Sequence, residues 1–296
     1  MAKIGLVRTT DRASGVRRAI QLLGHNPVRG KPVVLKPNYN TADPTPGSTH
    51  NDTLRALVTA LKEMGATRIT LAERNGMGGS ARQIMEAKGI FPLAEELGFE
   101  IICLDELGPE AWVHLHPEKS HWKDGFLFPR VYLEAEAIVQ TCCLKTHGFG
   151  GHFTLSLKNS VGMVTRNGPY MQELHSSPYQ RQMVAEINTA YSPDLIVLDG
   201  VEAFTDGGPH CGRLVPAGVV LAGNDRVAID AAGVAILRLL GTTDEVSRGP
   251  IFAQEQIARA VALGLGIKSP AEIEFVTDDT ESENFSAKVR EILLKG

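Results

Sequence analysis

Strand-like runs alternate with helix-like runs along most of this 296-residue chain. Residues 3–8, "PVVLK" (32–36), "RITLAE" (68–73) and "EIICLD" (100–105) are short, mainly apolar stretches, three of them rich in Val, Ile and Leu. Amphipathic stretches separate them. In "NDTLRALVTALKEMG" the residues Leu54, Leu57, Val58 and Leu61 recur at the helical spacing, and Gly65 ends the run. Ser80 is placed to cap a helix in "SARQIMEAKG", with Gly89 past its end. Such alternation predicts an α/β fold, with a largely parallel sheet and helices on both faces. Ligands of such sheets bind in a cleft outside the carboxyl ends of the strands.

The same reading continues further along. A strand is expected over 136–142, a helix over 150–163 and a helix near 178–190. The strand "DLIVLDG" follows, then an irregular "VEAFTDGGPHCGRLVPAG", the strand "VVLAG" and the helix "DRVAIDAAGVAILRLLG". A helix over 251–263, a strand near 273–277 and a helix over 283–294 close the chain. Residues 106–135 break the alternation and read as a hairpin or loop that covers the site. The chain reads as a single α/β unit over 1–296, with this segment as the place where two lobes, 1–105 and 136–296, can part.

Composition excludes some functions. The net charge of −4 leaves no basic footprint for general nucleic-acid binding. No window holds 18 consecutive apolar residues, so no membrane helix is expected. "MAKIGLVRTT" enters a strand directly, which points to a soluble cytoplasmic protein without a leader. The four cysteines, Cys103, Cys142, Cys143 and Cys211, form no C-x-x-C pair and no ferredoxin spacing. Reduced thiols are the expectation, with Cys142 and Cys143 on opposite faces of a strand.

Four strand ends carry unusual chemistry. They are Lys36-Pro37-Asn38, leading to His50; Glu73-Arg74-Asn75, followed by Gly76, Gly78 and Gly79; Lys145-Thr146-His147; and Asp199-Gly200, followed by Asp206. Four on one edge suggest a shared cleft. The glycines of "GMGGSA" and "GFGGHF" permit close backbone approach and can expose N–H donors to an anion at a helix start. They can equally serve only tight turns. Neither stretch has dinucleotide or P-loop spacing. A lysine beside a histidine in a partly desolvated cleft can hold an anion, act as a base, or form a Schiff base. His147 suits proton transfer or metal binding.

These residues also carry a resemblance. "VVLKPN", "STH" at 48–50, "LAE", "LKTHG", "LSLKNSVGM", His175, "VLDG", "DGGP" and "VVLAGNDRVAID" stand in the order and spacing of the DUF362 family. The chain resembles that family from about residue 30 to residue 240. The resemblance puts functional weight on Lys36, Asn38, His50, Glu73, Lys145, His147, Lys158, Asn159, Asp199, Asp206 and Asp230. Some relatives carry ferredoxin-like cysteine runs, which this chain lacks, so no ferredoxin-type cluster is implied. Asn224 or Asp225 can cap the helix that contains Asp230, which gives these acids a structural reading.

Three functions follow as expectations. The first is a cytoplasmic enzyme acting on a small anionic metabolite by acid–base or redox chemistry. Lys145 and His147 would be catalytic, and Lys36, Asn38, His50, Glu73, Lys158, Asn159 and Asp206 would bind substrate. The second is a metal- or iron–sulfur-associated carrier without turnover, drawing ligands from His147, His175, His210, Cys142, Cys143 and Cys211. The third is a binding protein that recognises a partner's acidic terminus.

Overall fold

A computed structural model describes residues 1–74, 76–77 and 79–295 of the protein. The strands are β1 (Ala2–Arg8), β2 (Pro32–Lys36), β3 (Arg68–Glu73), β4 (Glu100–Cys103), β5 (Trp112–Leu115), β6 (Phe126–Pro129), β7 (Ala137–His147), β8 (His152–Thr154), β9 (Leu195–Gly207), β10 (Gly212–Gly223) and β11 (Ile273–Val276). The helices are α1 (Arg12–Leu22), α2 (Asn51–Glu63), α3 (Ala81–Ala87), α4 (Ile90–Leu97), α5 (Arg130–Leu133), α6 (Ser156–Asn159), α7 (Tyr170–Ser176), α8 (Gln180–Ile187), α9 (Arg226–Leu240), α10 (Asp244–Ser247), α11 (Glu255–Ala262) and α12 (Thr280–Lys295).

The main sheet runs β11–β1–β10–β9–β7–β2–β3–β4, with β8 added to β7. Its larger part, β9–β7–β2–β3–β4, is parallel throughout. β10 runs antiparallel to both β1 and β9. The fold is α/β with a mostly parallel sheet, as the alternation predicts. Strands from 1–105 and from 136–296 share this sheet, and β1 lies between β10 and β11.

Alternation along each strand feeds two cores. Ile196, Leu198, Cys142 and Leu144 face the core built around α9 and α12. Leu195, Val197, Val139 and Leu35 face the opposite core, under α1 and α2. Each fully buried Leu or Ile contributes roughly 1.5–3 kcal/mol. α9 is buried from Arg226 through Leu237, which explains its nearly continuous apolar sequence. Helix caps fall where the sequence places them. Ser80 and Gln83 form a reciprocal capping box on α3, and Asp225 accepts from Ala228 N at the start of α9. No helix among the described residues is long and apolar enough to cross a membrane.

Three expectations need correction. Residues 150–163 are not one helix. The chain reverses after β7, β8 pairs back on it antiparallel, and the four-residue α6 and a 3₁₀ turn over Ser160–Met163 follow. The reversal needs left-handed backbone at Gly150 (φ 78°) and at His152 (φ 61°). Strand pairing here overrides the helical spacing of Phe153, Leu157 and Val161. The stretch 201–218, expected to be irregular, extends β9 and β10 into a long hairpin with a register shift between Pro216 and Val219. Residues 106–135 do contain a hairpin, β5–β6. It packs through Phe126 and Phe128 beside Trp122 and Tyr132, and none of these residues lines the cavity described below.

Candidate functional site

A cavity of about 490 Å³ opens at the carboxyl ends of β2, β3 and β7. Local structure explains its lining. Lys36 is the last residue of β2 and Glu73 the last of β3. Lys145 and His147 alternate along β7, so both side chains leave the same face, while Thr146 points away and donates to Phe204 O at 3.2 Å. Lys145 pairs directly with Thr154 of β8, which brings those two side chains together on that face. Lys158 and Asn159 come from α6, one step further on.

Lys36 and Glu73 form a buried ion pair at 2.8 Å, each 1% exposed. Lys36 Nζ also donates to Pro37 O at 2.6 Å and to Asn159 Oδ1 at 3.3 Å. Its three donors are therefore occupied. Glu73 accepts from Tyr39 N at 3.0 Å and Arg74 N at 2.9 Å in addition. Burial lowers the Lys36 pKa, and Glu73 opposes that shift. The pair is a neutral, hydrogen-bonded floor for the cavity. Gly162 rests on it: a Cβ there would meet Lys36 Nζ at 2.8 Å and Glu73 Oε1 at 3.0 Å.

Lys145 Nζ donates to Gly47 O at 2.6 Å and Asn38 Oδ1 at 3.3 Å. Neither acceptor carries a charge. Burial lowers its pKa to about 8. Lys158 is 6% exposed, and its ammonium has no hydrogen bond or ion pair with any described residue. Burial, then the charges of Lys145 and Arg74, lower it to about 8. The Thr154 hydroxyl is buried and has no partner among the described residues.

His147 is 8% exposed. Its Nδ1 lies 3.3 Å from both Phe149 N and Gly151 N. Backbone amides only donate, so Nδ1 is an acceptor and the ring proton sits on Nε2. Burial, then Lys158 and Lys145, lower the His147 pKa far below the ordinary range. The ring is a neutral Nε2–H donor. The proton-moving role expected of it does not fit this geometry. Gly151 makes the arrangement possible, since a Cβ there would meet His147 Nδ1 at 2.8 Å and Lys158 Cε at 2.9 Å.

Three of the four strand ends meet at this cavity. Asn38, Asn159 and Arg74 line it with the residues above. Asn75 and Gly78 lie outside the described residues. The fourth strand end lies elsewhere. Asp199 is buried against Arg12 Nε at 2.9 Å and Thr53 Oγ1 at 2.5 Å. Asp206 is exposed, and its Oδ1 accepts from Gly207 N at 2.7 Å. His50 also lies off the cavity lining, as the N-cap of α2, with Nδ1 accepting from Asp52 N at 3.0 Å. Of that fourth segment, Pro209 alone among the described residues reaches the lining.

The anion site expected at the start of a 150–163 helix is overturned. The amides at the start of α6 belong to Asp230, whose Oδ1 accepts from Ser156 N at 2.8 Å and Leu157 N at 3.3 Å. The loop amides of Phe149 and Gly151 turn inward to His147, and Gly148 N donates to Gly208 O at 3.2 Å. No group of three or more His, Cys, Asp or Glu among the described residues is arranged to hold a metal ion. His175 does line the cavity, with Nδ1 held 2.6 Å from Met171 O, while Cys211 is exposed on the β9–β10 turn beside His210. All four cysteines are free thiols.

Sequence reasoning gave Arg74 and Gly162 no role of their own and missed Thr154. Arg74 is 4% exposed, donates to Val164 O at 2.6 Å and to Val161 O at 2.7 Å, and supports the wall formed by residues 161–171. A charged residue directly after a buried strand end was the available signal. Thr154 had none, because only its pairing with Lys145 brings it into the cavity.

The chain is 26% identical over 262 residues to a thylakoid-associated protein of Synechocystis sp., covering 82% of this chain and 74% of that protein. Among solved structures it is similar to the lactate racemase apoprotein from Thermoanaerobacterium thermosaccharolyticum, at a TM-score of 0.48 and 15% identity, covering 98% of this chain and 85% of that one. The family model described as "Domain of unknown function (DUF362)" matches residues 33–235, and the chain belongs to that family.

Proposed function

We propose that the cavity binds a small anionic metabolite and performs acid–base chemistry on it, with Lys158 and Lys145 as the working groups. One observation carries the reading: Lys158 is 6% exposed, lines the cavity, and its ammonium meets no acceptor among the described residues. Burying a charge without compensation costs several kcal/mol. An anionic ligand would supply the compensation. The surrounding charge agrees. Among the described residues, Glu73 is the one carboxylate in the lining, and Lys36 already pairs with it. Lys145, Lys158 and Arg166 are further positive groups of the lining, beside Arg74, whose guanidinium is held by Val161 O and Val164 O.

The chemistry follows from the pKa values. Lysines lowered to about 8 exchange protons close to neutral pH. The lysine that contacts the anion keeps its proton; the other can release it and act as base. The Nε2–H of His147 and the Thr154 hydroxyl offer uncharged hydrogen bonds to ligand oxygens. Lys36, Glu73 and Asn159 hold the floor and α6 in place.

Thermal unfolding with phosphate, acetate and pyruvate tests binding. Wild type should gain stability with ligand, by about 2.7 kcal/mol at 100 times Kd. Lys158→Met should lose most of that gain. Equal stabilisation of both proteins would overturn the assignment. Proton transfer is tested by NMR in D2O, following loss of the α-proton signals of small carboxylates. Exchange should need wild-type Lys158.

A further inference from the structure

The cavity has a buried, charged floor and a mouth that carries apolar residues beside polar ones. Lys145, Lys158, Lys36, Glu73 and His147 are all buried at its base. Its exposed lining mixes Arg166, Gln172 and His175 with apolar residues. Phe149 and Met77 are exposed, at 55% and 70%, and both belong to the lining. Val161, Met171 and Pro209 join them, each partly exposed. A single exposed apolar residue means little, but five in the lining of one opening offer apolar surface to a ligand.

Phe149 is held in place. Its own amide and that of Gly151 donate to His147 Nδ1, Gly148 N donates to Gly208 O, and Arg181 Nη1 donates to Gly150 O at 2.7 Å. The Phe149 ring stacks on His210, with centroids 6.0 Å apart and planes at 18°. It meets His147 edge-on, at 5.9 Å and 76°. The exposed ring is thus a fixed flat surface beside the entrance.

Size points the same way. A cavity of about 490 Å³ is far larger than a two- or three-carbon acid fills. Pockets of roughly 300–1,000 Å³ enclose drug-sized ligands.

Resting on the anion-binding reading, we infer that the ligand is an aryl-bearing acid. Its anionic head reaches Lys158 and Lys145 at the base. Its ring lies against Phe149 at the mouth.

The test compares acetate with phenylacetate, which share a carboxylate and differ by the ring. Dissociation constants are measured by calorimetry for wild type, Phe149→Ser and Lys158→Met. Wild type should prefer phenylacetate by about tenfold, the scale of one aromatic contact plus its buried area. In Phe149→Ser the preference should fall to about threefold or less. Lys158→Met should weaken both acids. An undiminished preference in Phe149→Ser, with Lys158→Met still weakened, would overturn the aryl assignment and leave the anion reading standing. Failure of both acids to bind wild type would overturn both.

Discussion

Asp230 Oδ1 accepts the amide of Ser156 at 2.8 Å, joining α9 to the start of α6. Oδ2 of the same carboxyl accepts from Gln256 Nε2 at 3.2 Å. Asp230 is fully buried, and burial raises its pKa from 3.8 to about 7, against the pull of these donors. Lys158 and Asn159 sit on the turn it anchors, so Asp230 is a positioning residue for the cavity.

Asp230→Ala should cost about 1–3 kcal/mol in urea unfolding, because two buried amides lose their acceptor. The pH dependence has a definite sign. The folded-state pKa is raised, so Asp230 favours folding most below about pH 4, and that contribution declines as pH rises toward 7. Stability of wild type minus that of Asp230→Asn should therefore fall across this window. A flat difference would show that Asp230 titrates normally.

Lys158→Met should be more stable than wild type without ligand, by roughly 1–3 kcal/mol at pH 7. The lowered pKa means that the folded state disfavours the charged amine. The penalty is full below about pH 8 and fades as pH rises toward 10.5. The gain from the substitution should shrink over that range. Chemical denaturation at pH 7, 8 and 9 reads it. A destabilised variant at pH 7 would mean that the lysine has a partner in the folded protein.

Lys36 and Glu73 should behave as a coupled pair. Lys36→Met leaves a buried carboxylate unpaired, and Glu73→Gln leaves a buried ammonium, at about 3–5 kcal/mol each. The double variant Lys36→Met/Glu73→Gln keeps a side-chain oxygen for Tyr39 N and should lose much less than the sum. A double-mutant cycle in urea measures this. Simple additivity would contradict the pairing.

The thiols should divide by burial. Cys211 is exposed, whereas Cys103, Cys142 and Cys143 are buried. Burial raises Cys103 and Cys143 to about 11 and Cys142 well above its ordinary value. Iodoacetamide on the native protein should add one group. After unfolding without reductant it should add to all four thiols. A mass two groups short in the second case would reveal a disulfide.

Local pattern was legible in the sequence wherever burial repeats along one element. The period-2 and period-3.6 signals placed most strands and long helices, and Ser80 and Asp225 announced their caps. The order of motifs also gave the family. The same rules failed at 150–163, because a helical spacing over a dozen residues does not register a strand pairing with β7. They were equally blind to the roles of the three lysines. Lys36, Lys145 and Lys158 look alike in sequence. Their difference lies in what surrounds each ammonium: a carboxylate 37 residues away for Lys36, neutral oxygens 98 and 107 residues away for Lys145, and no described partner for Lys158. Satisfaction of a buried charge depends on neighbours in space. Tertiary structure alone decides which lysine is left without a partner among the described residues.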